Sequence, residues 1–266
     1  MNKIKNIVIW LAIIAYLVVA LSFVSKKQQD AYCKKIEVRV VDATENHFIN
    51  EADVLKKFNE NNISLISHQI DSINKDKLEK LIYSIPSVKK AEVFIENGET
   101  IEVEIEQRNP IVRIMNQDET GFYIDEFGKL MTLSDKYSAH VLIVNGNINE
   151  AISKNISKNL TPKENEIVVP QNNILQDIYI LSKYIYEDEV WNSLIEQIYV
   201  NKDYEFELIP KIGDQIIVFG TIENYKEKFR KLKALYQIGF PKTDWNMYKT
   251  IDLKYKNQAV CTKKDI

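Results

Sequence analysis

Residues 6–25 contain no charged side chain and consist mostly of Ile, Val, Leu and Ala, with Lys3 and Lys5 before them and Lys26 and Lys27 after. A helix rises about 1.5 Å per residue, so a run of this length spans roughly the 30 Å hydrocarbon core of a bilayer. The pattern predicts a transmembrane helix over 6–25 that tethers the rest of the chain. A cleaved signal peptide is the alternative, with Val18-Val19-Ala20 or Ala20-Leu21-Ser22 as the cleavage site. The apolar part of such a peptide is about 7–15 residues long, shorter than this run, so an uncleaved anchor is expected. Lys26, Lys27, Lys34 and Lys35 outnumber Lys3 and Lys5, so charge alone does not set the orientation.

Beyond a polar spacer (26–35), residues 36–41 alternate apolar and polar, as a strand with one buried face does. Asn50 is placed to cap a helix bearing Val54, Leu55 and Phe58. A loop with Asn61, Asn62 and Ser64 follows. Asn74 or Asp76 then opens a second helix whose Leu78, Leu81, Ile82 and Ile85 share one face, and Pro86 ends it. Ala91, Val93 and Ile95 alternate with mostly polar residues up to Asn97-Gly98, the pair best suited to a type I′ hairpin turn. Ile101, Val103 and Ile105 then alternate with Glu102, Glu104 and Glu106. Three carboxylates on one strand face, about 7 Å apart, read as a solvated face rather than as catalytic acids.

Residues 111–115 form the next expected strand, and 121–130 a strand, an Asp/Gly turn and a return strand. Residues 141–144 make a short apolar strand, and 147–170 read as a long loop. Ile174, Leu175, Ile178, Leu181 and Ile185 mark an amphipathic helix. Strands are expected over 195–200, 204–209 and 215–219. A helix follows over 222–238, with Tyr225, Phe229, Leu232 and Tyr236 on one face and Lys226, Lys228, Lys231 and Lys233 on a solvated one. A strand over 248–255, a turn at Lys256-Asn257 and a last strand over 258–262 complete the chain.

The hydrophobic fraction of 45% and charged fraction of 27% fit a globular chain. A net charge of −3 offers no general attraction to nucleic acid. Cys33 and Cys261 stand far apart in sequence; an even count permits a disulfide, but nothing in the spacing demands one, and two unpaired thiols are the preferred reading. His47, His68 and His140 are scattered without metal-ligand spacing, and neither a Gly-rich phosphate loop nor a Gly-x-Ser-x-Gly elbow occurs. The expectation is a non-enzymatic protein with no cofactor, metal, small-molecule substrate or nucleic acid. The competing readings are a membrane-tethered cell-wall enzyme and a secreted protein whose first segment is a cleaved signal peptide.

The order strand, helix, helix, strand, strand resembles the POTRA domain. Placed after one apolar helix and followed by Glu106-Gln107-Arg108-Asn109-Pro110-Ile111-Val112, the Asp125/Gly128 turn and Asp252-Leu253-Lys254-Tyr255, it resembles the FtsQ/DivIB family of bacterial cell-division proteins. Lys254 stands where the family usually has Arg. The resemblance implies an α+β chain in five parts: a cytoplasmic tail (1–5), a single N-terminal transmembrane helix (6–25), the spacer, a βααββ POTRA domain (36–108) and a larger mixed β-sheet domain with two helices (109–266). It implies a non-enzymatic divisome scaffold in the inner membrane. The bulk of the chain would be extracytoplasmic and enriched at the septum, with FtsB-like and FtsL-like single-pass proteins as partners and a link to septal peptidoglycan synthesis.

The last strand is where binding is expected. Only residues 263–266 follow it, too few to pair with its outer edge, and an open edge invites strand addition. The resemblance points to the same strand and to the Tyr before it, giving Lys254, Tyr255, Asn257, Ala259 and Val260 as partner-binding residues.

Overall fold

The computed structural model describes residues 9–19, 31–41, 47–150, 174–240 and 245–264. Most of the loop expected at 147–170 lies outside them. The chain divides into two compact units, one ending at Gln107 and one beginning at Arg108.

The membrane span is the main correction. The helix described near the start covers residues 9–19, about 16 Å of rise. Among the described residues, no helix is long and apolar enough to cross a membrane. A span needs about twenty apolar residues in one continuous helix. The single-pass inner-membrane placement, and the membrane as a partner through 6–25, are not supported.

In the first unit, β1 (Lys35–Val40), α1 (Glu51–Glu60), α2 (Lys75–Tyr83), β2 (Val88–Glu96) and β3 (Thr100–Gln107) follow one another. The sheet order is β1-β3-β2, with β1 parallel and β2 antiparallel to the central β3. Asn50 accepts from the Asp53 N–H at 3.1 Å while the Asp53 carboxylate accepts from the Asn50 N–H at 3.0 Å, a reciprocal cap on α1. Asn74 caps α2 by accepting from the Lys77 N–H. Val54, Phe58, Leu78 and Ile82 pack with Val93, Ile101, Val103 and Ile105, each large side chain contributing about 1.5–3 kcal/mol by leaving water. Glu102 and Glu104 face Arg39 on the opposite sheet face, a charged solvent face as the alternation implied. Asn97 and Gly98 carry φ of 51° and 73°, which a type I′ turn requires.

Among the described residues, the second unit is a nine-stranded mixed sheet, built by β4 (Pro110–Met115), β5 (Gly121–Asp125), β6 (Leu130–Thr132), β7 (Leu142–Gly146), β8 (Ile195–Val200), β9 (Phe206–Pro210), β10 (Ile216–Gly220), β11 (Tyr248–Asp252) and β12 (Val260–Lys263). Their spatial order is β12-β11-β10-β9-β8-β7-β4-β5-β6. The pairs β4/β7, β7/β8 and β10/β11 are parallel, and parallel neighbours need a crossover. The β10/β11 crossover contains α5 (Tyr225–Ala234). α3 (Ile174–Glu187) and a short α4 (Glu189–Leu194), which the periodicity did not resolve, lie between β7 and β8. Leu175, Ile178, Leu181, Trp191, Phe229 and Leu232 pack with Ile111, Ile198, Phe219 and Ile251 in one core. The helix expected over 222–238 is α5 plus a π-helical turn, Leu235–Gly239. β11 stops at Asp252, three residues short of the expected end, and β12 starts at Val260. Both cysteines are free.

Candidate partner-binding edge

Among the described residues, β12 is the terminal strand of the second sheet and pairs only with β11. The Lys264 N–H donates to the Met247 carbonyl at 2.9 Å, which fixes the phase of the ladder. Residues of an antiparallel strand alternate between facing the partner and facing away. Thr262 and Val260 therefore point their backbone groups at β11, while the N–H groups of Cys261 and Lys263 point outward. Ala259 is in the outward phase but lies one residue before the strand. The side chains alternate too. Ala259 and Cys261 pack against the core, whereas Val260 is 39% exposed and Thr262 is exposed on the other face.

The Asp252–Tyr255 segment is built residue by residue. The Asp252 carboxylate accepts from the Lys254 N–H at 2.8 Å and turns the chain out of β11. Leu253 is fully buried, and its N–H donates to the Val218 carbonyl. The Lys254 ammonium donates to Glu205 at 3.1 Å, a pairing that holds its charge and raises its pKa. Its stem crosses Gly220, where an added Cβ would stand 2.8 Å from Lys254 Cγ. Gly220 also has φ of +76°, so the position calls for glycine twice over. Tyr255 has left the strand and is 51% exposed. Asn257 reverses the chain with φ of 62°, a region Asn tolerates.

Two of the four lysines expected on a solvated face of α5 are turned inward. Lys231 Nζ donates to the carbonyls of Leu253 at 2.7 Å, Tyr255 at 2.6 Å and Gln258 at 3.2 Å. Lys228 is buried, donates to the Thr221 carbonyl at 2.8 Å and lies over the Phe219 ring. Burial, helped by the nearby Lys231 charge, lowers its pKa to about 8. The helical pattern could not reveal this, because a lysine with an apolar stem reads as a surface residue until a carbonyl is found for its head.

The five expected residues all fall on the loop before β12 or at its start, but they do not form one flat strand. Lys254 is occupied by Glu205, Tyr255 and Asn257 belong to the turn, and only Val260 lies within the strand. Sequence reasoning missed Lys231 and Gly220, and it missed the outward amides of Cys261 and Lys263. No local signal marks Lys231, and the phase of β12 is fixed only by its pairing with β11, through the Lys264 N–H and the Met247 carbonyl. Among the described residues, no group of three or more His, Cys, Asp or Glu side chains comes together to hold a metal ion.

A βααββ unit followed by a large mixed sheet defines a two-unit α+β protein, and residues 31–106 match a POTRA-like domain. Residues 109–262 match the family described as FtsQ/DivIB, C-terminal related, and the chain belongs to the FtsQ/DivIB family of cell-division proteins. Members of that family are non-catalytic scaffolds, and their partners are components of the divisome. A comparison with curated proteins found no match.

Proposed function

We propose that this chain is a binding scaffold of the division machinery, and that β12 and the loop before it receive an FtsB-like or FtsL-like division protein by strand addition. The open outer side of β12 carries the reading. Outward N–H groups at Cys261 and Lys263 would supply main-chain hydrogen bonds, and Val260, Thr262 and the exposed ring of Tyr255 would select the incoming side chains. Lys254, Asn257 and Ala259 belong to this surface by flanking it, Lys254 through a charge shared with Glu205. Family membership supports divisome partners in general; the edge supports this mode of binding.

The test is a pull-down of the FtsB-like protein from the same organism with Lys263→Pro and Cys261→Pro, each first shown to fold by circular dichroism. Proline removes one outward donor in each variant. Loss of capture by both supports strand addition, and full capture by both contradicts it.

A further inference from the structure

An ammonium group has three protons to donate, and Lys231 spends all of them on one loop. Between Leu253 and Gln258 the backbone curls so that three carbonyl oxygens converge on a single point. Carbonyl dipoles aimed at one point repel unless a cation sits there, so this curl requires the charge that α5 carries into it. The same curl turns Tyr255 outward, sets Asn257 in its left-handed conformation and delivers the chain to Val260, the first residue of β12.

We infer that Lys231 is the positioning residue of the docking edge: it holds the 253–258 loop, and through it β12, in the geometry a partner strand reads. This rests on the strand-addition reading for its functional half; the clamp itself does not. It also separates Lys231 from Lys226 and Lys233 on the same helix, neither of which donates to that loop. Among the described residues, the other side-chain supports hold the start of the loop, through the Asp252–Lys254 turn and the Lys254–Glu205 pair. Tyr255 and Gln258 lie beyond their reach.

The experiment compares Lys231→Met, Lys231→Arg and wild type in the full chain. Amide hydrogen exchange is followed in the free protein, and affinity is measured for the FtsB-like protein. Methionine keeps the stem and removes the donors. With Lys231→Met, exchange of residues 253–263 is expected to accelerate about tenfold or more while β8 and β9 stay protected. Affinity is expected to fall about tenfold, and Lys231→Arg, which restores a cation with several donors, should recover part of both. Unchanged exchange at 253–263 in Lys231→Met overturns the clamp. Accelerated exchange with unchanged affinity, while Lys263→Pro still abolishes binding, overturns the positioning role and leaves strand addition standing. Unchanged affinity in Lys263→Pro and Cys261→Pro as well removes the docking edge itself, and with it the positioning role.

Discussion

Arg108 Nη1 donates to Asp125 Oδ2 at 2.9 Å, and the two side chains are 11% and 1% exposed. The other Asp125 oxygen accepts from the N–H groups of Phe127 and Lys129 at 2.9 and 2.7 Å. One carboxylate thus ties the first residue of the second unit to the tight turn between β5 and β6, where Gly128 has φ of +74°. Breaking a buried ion pair by removing one member costs about 3–5 kcal/mol. Asp125→Ala is expected to lose stability in that range in urea unfolding. Asp125→Asn should lose less, because its amide oxygen still accepts from the turn.

The hairpin between β2 and β3 gives a smaller effect of a different kind. Asn97 sits at φ of 51°, and β-branched residues resist that region. Asn97→Val should destabilise the chain by about 1–2 kcal/mol, within the range for a strained backbone position. An unchanged denaturation midpoint would mean that the turn changes type at little cost.

Lys228 predicts a pH dependence with a definite sign. Its pKa is about 8 in the folded chain against an ordinary value of 10.5, because burial, then Lys231, disfavour the charge. The groups that favour it, Glu223 and Glu205, do not outweigh them. Between about pH 8 and 10.5 the unfolded chain holds a proton that the folded chain has released, so this contribution to stability rises with pH. Below pH 8 the cost of burying the ammonium is present in full. In urea unfolding at pH 7.5 and pH 10, wild type should gain on Lys228→Met at the higher pH. Parallel changes in the two proteins would show that Lys228 keeps its proton throughout.

The sequence was most legible where one period dominates. Ile101, Val103 and Ile105 alternate strictly with three glutamates, and that alternation fixes which face of β3 is buried. Asn50 and Asn74 announce their helices because few residue types cap so well. Legibility fails where a tertiary partner decides. Residues 253–255 continue the apolar and polar pattern of β11, yet the Asp252 carboxylate and the Lys231 ammonium pull them out of the strand. Lys228 and Lys231 follow the polar stripe of α5 and are nevertheless turned inward by carbonyls from Thr221, Leu253, Tyr255 and Gln258. For the apolar run at 6–25, the described residues are 9–19, and among the described residues no helix is long and apolar enough to cross a membrane. The five residues expected to bind lie on the loop before β12 or at its start, and which β12 amides face outward follows from a pairing with β11 that no pattern in the sequence marks.

The central claim is that a partner strand bonds to the outer side of β12. Residue-resolved amide exchange of the full chain, with and without a saturating FtsB-like partner, reads that side directly. With a partner strand bonded there, the Cys261 and Lys263 amides, which face away from β11, slow by about tenfold or more in the complex. Val260 and Thr262, already bonded to β11, should change less. Undiminished exchange at Cys261 and Lys263 in a saturated complex, with protection appearing elsewhere on the chain, would contradict it.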